Sequence, residues 1–367
     1  MLACRMGFTL PAPRTERGLN RRYLSLIGLQ EFAILLPLAV LVVHMTERGL
    51  GLEVVGLAFA LRSLIVVLLE VPTGGLADAV GRKPIALLSQ GFTLASIVTL
   101  LLVTGPAVAF FYAVLQGIGS ALNSGSLDAW YVDSLKTIAP DTELQPNLAR
   151  VELVRSAAML AGAGLGGWLP SLTSGLALPW PLAGFGVSLF LGAFFRVVVW
   201  LLTALLVSEP ARERSVAAGL RAVPGILQDA LRLTRRIPAV PYLLVSVLAS
   251  GVAVICLETF WQPLTGAVLN ASSENSAAFG VFGALTGAAL LLGSYAVMRG
   301  SSVLSRHSAL LAGGMQVLKG LAIILLGAAV NGPQLGLGLA VAYFAIAANN
   351  VPHDTLLNEA IPSERRP

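Results

Sequence analysis

Glu31, Arg62, Glu70 and Glu258 are ionisable residues set inside long apolar runs, and Asp78, Arg82 and Lys83 crowd six positions between two such runs. A charged side chain at the centre of a bilayer costs about 2.5–3.5 kcal/mol, so each needs a partner or a wet cavity. The chemistry open to such residues is to hold a polar solute or to relay a proton. Other chemistries lack their parts. His44, His307 and His353 are scattered, and Cys4 and Cys256 make neither a disulfide framework nor a metal-ligand spacing. There is no Gly-x-x-x-x-Gly-Lys-Ser/Thr phosphate loop, and no nucleophile stands with a base. The expectation is therefore not an enzyme, with no cofactor and no metal.

The elements that must position these residues are membrane helices. Mean hydropathy is +0.81 and only 12% of residues are charged, against about 25% in a soluble domain. The net charge of +5 lies between hydrophobic spans and forms no basic face, which speaks for a lipid bilayer and against nucleic acid. With roughly 20 apolar residues per span, ten helices are expected at about 24–45, 54–77, 85–104, 107–134, 150–170, 184–207, 241–264, 276–298, 308–330 and 334–353. Alternate connections hold Arg48 as their only basic residue, whereas the others collect Arg82, Lys83, Lys136 and the arginines at 212–236, 299, 306, 365 and 366. That bias places the N-terminus and the basic loops in the cytoplasm of a multi-pass protein of the cell membrane. Residues 1–23 read as a cytoplasmic tail, 24–207 as a six-helix bundle, 208–240 as a linker whose 223–237 section suits an interfacial helix, 241–353 as four more helices, and 354–367 as a cytoplasmic end.

The run Gly74-Gly75-Leu76-Ala77-Asp78-Ala79-Val80-Gly81-Arg82-Lys83 reads as a tight turn, with Asp78 accepting N–H groups at a helix start and Gly81 permitting the bend. It resembles the loop between the second and third helices of the major facilitator superfamily of secondary transporters, although the usually basic position after the Asp is Ala79. Gln116-Gly117-Ile118-Gly119-Ser120-Ala121 is similar to that family's helix 4 motif, with Ala113 where an arginine is usual. Ser124 to Ser134 looks like the end of helix 4 in a drug-exporter-like branch. Gly162-Ala163-Gly164-Leu165-Gly166-Gly167 resembles the exporters' helix 5 motif, with Ala163 in place of its proline, and Gly162, Gly166 and Gly167 equally suit generic helix packing.

The resemblance implies an all-α fold of two six-helix bundles with substrate held between them near the midplane, here with a second bundle of four helices. Leu357 to Arg366 resembles the loop leading into helix 11, so the expectation is a chain lacking its last two helices. Helices 1, 4, 7 and 10 of the family line the cavity. That makes Gln30, Glu31, Gln116, Glu258, Trp261 and Asn350 candidates for substrate or proton contact, with Arg62 and Glu70 of helix 2 beside them. Glu31 equally suits a structural ion pair. Arg62 and Glu258 could form an outer gate; Asp128 and Asp133 with Arg150 and Arg155 could form an inner latch, or be helix-end charges among headgroups. Arg196 and Lys319 fall on helices peripheral in the family and receive no role. The function expected is alternating-access transport of a small molecule, proton-coupled efflux first, with gradient-driven uptake or a non-transporting remnant as alternatives.

Overall fold

The computed structural model describes residues 13, 15–102, 105–123, 126–140, 142, 144–209, 225, 237, 239–304 and 308–360. Its elements are helices. They are α1 (Glu16–Leu38), α2 (Leu41–Glu47), α3 (Leu52–Val80), α4 (Arg82–Leu102), α5 (Pro106–Asn123), α6 (Ser126–Ile138), α7 (Leu144–Thr173), α8 (Gly186–Leu206), α9 (Ala239–Leu269), α10 (Ala277–Leu304), α11 (Ser308–Gly327) and α12 (Gly332–Ala360). Among the described residues each of the ten expected spans is mainly helical, with α1 and α2 forming one interrupted span and α5 and α6 falling in another. This is an all-α polytopic membrane fold. Among the described residues eight spans are long and apolar enough to cross a membrane by length and composition. The other two, α7 and α12, are diluted by Gly, Ala and polar residues. Large side chains such as Val67, Leu248 and Ile324 stand exposed, as lipid-facing positions require.

Two local expectations are corrected. The supposed tail gives way to helix at Glu16, because Leu19 and Tyr23 bury completely and extend the apolar face one and a half turns upstream. The supposed loop at Gly74–Lys83 is almost entirely helix: α3 continues to Val80, and the chain turns at Gly81 alone, with φ of +108°. Asp78 thus lies in the last turn of α3 and not at a helix start; its side chain is outside the described residues, as are the 226–236 part of the expected interfacial helix and the side chain of Asn350.

The chain groups into two compact units that do not follow chain order: Met1–Pro37, Met45–Ala158 and Leu189–Ile226 form the first, and Leu38–His44, Met159–Ser188 and Leu227–Pro367 the second. In the first, Leu19, Tyr23, Leu26 and Ile27 of α1 pack against Leu127, Trp130, Tyr131 and Leu135 of α6, with Val151 and Val199. Tyr23 stacks on Tyr131 at 4.1 Å. On α5, Gly117 and Gly119 lie about 200° apart around the axis. A Cβ on the first would meet Ile65 of α3 at 2.9 Å, and one on the second would meet Thr93 of α4 at 2.5 Å, so each glycine admits a different neighbour.

In the second unit α12 packs on α10 and α11, and the later half of α7 presses on α10. A Cβ on Gly167 would lie 2.2 Å from the Gly280 nitrogen. Ser188 Oγ donates to the Gly166 carbonyl at 2.7 Å, and Ser171 N–H donates to Ser276 Oγ at 3.0 Å. In a membrane such close backbone packing, not hydrophobicity, supplies the association energy.

Candidate functional site

A cavity of about 560 Å³, its mouth included, opens within the first unit between α1, α4, α5 and α8. Its polar lining comes in helical steps: Gln116, Ser120 and Asn123 recur at i, i+4 and i+7 on α5, and Ser89, Gln90 and Thr93 at i, i+1 and i+4 on α4. Gln30 contributes from α1 and Arg196 from α8. Buried amides and hydroxyls in lipid must find partners, and several do so among themselves. Ser96 Oγ donates to Gln116 Oε1 at 2.7 Å, Ser89 Oγ to the Gly119 carbonyl at 2.7 Å, and Gln90 Nε2 to Thr203 Oγ1 at 2.9 Å. Gln90 Nε2 also reaches Gln30 Oε1 at 3.4 Å.

One residue from Gln30, Glu31 belongs to an ionic cluster centred on Arg155 of α7. Arg155 Nε lies 3.5 Å from Glu31 Oε1, its Nη2 donates to Asp128 Oδ1 at 3.1 Å, and its Nη1 lies 3.5 Å from Glu152 Oε1. Tyr23 also donates to Asp128. The contact to Glu31 is electrostatic only, since Arg155 Nε is buried without a hydrogen-bond partner. A second network holds the start of α1: Tyr131 Oη donates to Asn20 Oδ1, Asn20 Nδ2 to Asn147 Oδ1, and Asn147 Nδ2 to Glu16 Oε1, at 2.7, 2.9 and 3.0 Å.

Gln30 and Gln116 line the cavity, while Glu31 sits beside it in the ionic cluster. Arg62 lies over the Phe59 ring at 5.3 Å in the first unit, and Glu70 is exposed on α3. Glu258 and the buried Trp261 are on α9 in the second unit. Of the suggested latch, Asp128 meets Arg155, but Asp133 pairs with Arg82 at 2.9 Å, and Arg150 is exposed. The one-residue turn explains the exchange, because it makes Arg82 the first residue of α4, within reach of α6. Lys83 N–H donates to Glu209 Oε2 at 2.9 Å and its Nζ to the Ala204 carbonyl at 2.7 Å. Gly74 is exposed, and Gly162, Gly166 and Gly167 are buried in α7. Sequence reading passed over Ser89, Gln90, Thr93, Ser120 and Asn123, although their helical spacing within apolar segments marks a wet stripe. Arg196, which has no role on sequence grounds, stands in the cavity wall.

The family model described as the Major Facilitator Superfamily matches residues 24–367. The chain belongs to the Major Facilitator Superfamily. It is thus a secondary-active, alternating-access transporter of a small molecule, embedded in lipid, and not an enzyme. Among the described residues no group of His, Cys, Asp and Glu is arranged to hold a metal.

Solved transporter structures share its fold at low identity. A point mutant of the nucleoside transporter NupG is similar over 94% of this chain and 84% of its own, at 14% identity and a TM-score of 0.75. A bacterial homologue of the iron transporter ferroportin, in an inward-facing state, gives 16%, 0.65, and coverages of 96% and 86%. A bacterial homologue of the lysosomal transporter Spinster gives 15%, 0.62, and coverages of 92% and 74%. No curated protein matches the sequence.

Proposed function

We propose that this superfamily member exports a small polar solute in exchange for protons, with its N-terminus and basic connections in the cytoplasm and Glu31 as the proton-carrying group. The observation that carries the reading is the divided allegiance of Arg155. It hydrogen-bonds Asp128, yet meets Glu31 at 3.5 Å without a hydrogen bond. Keeping a largely buried carboxylate charged is costly unless it is paired, and the ion-pair contact this one makes, to Arg155, is long and carries no hydrogen bond. A proton arriving on Glu31 removes the attraction and leaves Arg155 to Asp128 and Glu152. Because Glu31 is on α1, Asp128 on α6 and Arg155 on α7, the exchange shifts the forces between three helices that frame the bundle. Glu31 also follows Gln30 of the cavity wall, so solute occupancy and protonation act on adjacent residues of one helix. The small-residue packing of α7 resembles exporters, which is the support for outward movement.

Proteoliposomes loaded with a pH-sensitive dye test this with lactate, a nucleoside, a dipeptide and a lipophilic cation as probes. A solute-evoked pH change is expected in the native protein, and Glu31→Gln should abolish it while leaving solute exchange across equal solutions. Solute movement with no accompanying proton flux in the native protein would overturn the coupling.

A further inference from the structure

Arg196 is a guanidinium only 8% exposed, and its Nε makes no hydrogen bond. Among the described residues no carboxylate stands within ion-pair distance of it; the nearest acidic cluster is organised around Arg155. An arginine cannot shed its proton to escape burial. Glu31 acts on it only at longer range, and a cation with no direct ion pair in a low-dielectric setting costs several kcal/mol, so the natural remedy is an anion.

Arg196 lines the cavity, and so does a second unsatisfied group, the carbonyl oxygen of Gln90. The orientation of that amide is fixed by its neighbours. Thr203 Oγ1 donates its one proton to the Val199 carbonyl at 2.9 Å, so it can only accept from Gln90 Nε2, which turns Gln90 Oε1 away from it. The cavity wall therefore offers a cationic donor and a neutral acceptor, both unpaired. The rest of its polar lining is uncharged.

Resting on the reading of this cavity as part of a solute pathway, we propose that it binds a small carboxylate that also carries a hydroxyl or amino group, its carboxylate on Arg196 and its donor on Gln90. The guanidinium fork matches a carboxylate in two parallel hydrogen bonds. A ligand donor completes the Gln90 carbonyl, and the amides and hydroxyls of α4 and α5 solvate the remainder. A cationic solute gains nothing from this wall, because the charge built into it is positive.

The test is equilibrium binding to the full chain in detergent, read as thermal stabilisation and by calorimetry, with no gradient present. Probes are lactate, glycerate, gluconate and serine, each beside its amide, with propionate lacking the donor and inorganic phosphate as a different anion. At least one hydroxy or amino acid should raise the melting temperature with concentration, while its amide does not. Arg196→Gln should weaken that binding roughly 10- to 100-fold, the range of a charge-assisted hydrogen bond. Gln90→Leu should weaken lactate but not propionate. Gln90→Glu, which supplies an internal carboxylate, should abolish binding in a protein that remains folded, and this covers the case in which Arg196→Gln does not fold. Because the readout is equilibrium binding with no gradient and no proton movement, the proposal succeeds or fails independently of the proton-coupling reading. Stabilisation by amides or phosphate alone, by no probe, or equally in Arg196→Gln and Gln90→Glu overturns it.

Discussion

Gln262 accepts the backbone N–H of Val42 at 2.9 Å through its side-chain carbonyl, and its amide nitrogen donates to the Leu38 carbonyl at 2.7 Å. The same carbonyl reaches the Val43 N–H at 3.4 Å. Pro37 and the interruption between α1 and α2 free these backbone groups from helical partners, and one buried side chain on α9 restores them. Gln262→Leu should lower stability by about 1–3 kcal/mol, the cost of leaving buried polar groups unpaired, measured by thermal unfolding in detergent.

Among the described residues Arg155 is the cation within ion-pair distance of Glu31, Asp128 and Glu152 in their shared cluster. Removing it strands acidic charge, but Asp128 and Glu152 are more than half exposed, so water screens most of what is lost. Arg155→Leu should cost about 1–3 kcal/mol, mostly from Glu31. The double variant Arg155→Leu/Glu31→Leu should recover part of that, and a thermal double-mutant cycle would read the coupling. Additive losses would show that the two residues do not interact.

Gly167 and Gly280 let α7 and α10 touch backbone to backbone. Gly167→Ala should destabilise by at least about 1–3 kcal/mol, as overpacking does, because the clash is with main chain that cannot rotate aside. Gly313→Ala on α11 meets nothing within 4 Å and should be neutral or slightly stabilising. Comparing the two melting temperatures isolates packing from intrinsic helix preference.

Gly81 holds φ at +108°, and a Cβ there would come within 3.0 Å of Glu209 Oε2. Gly81→Ala should therefore cost about 1–2 kcal/mol in backbone strain and disturb the start of α4, where Arg82 pairs with Asp133 and Lys83 with Glu209. Asp133→Asn is expected to cost under about 1 kcal/mol, since Asp133 is 53% exposed. If both variants melt alike, the turn carries no strain.

Hydropathy and charge asymmetry alone determined that this is a polytopic helical membrane protein with ten spans, because in lipid each helix must satisfy its own backbone and so writes a run of apolar residues into the sequence. The motif around Asp78 likewise announced the superfamily. Partnerships were decided only in three dimensions. Asp133 meets Arg82 because the turn between α3 and α4 is a single glycine, a length that composition does not reveal. Glu31 and Arg155 lie 124 positions apart, and nothing local links them. The cavity drew its wall from four helices, each of which reads as an ordinary span, and Arg196 acquired meaning only when α8 brought it into the same wall as Gln90 with no carboxylate in ion-pair contact. Periodicity states which face of a helix is polar; packing alone states what that face meets.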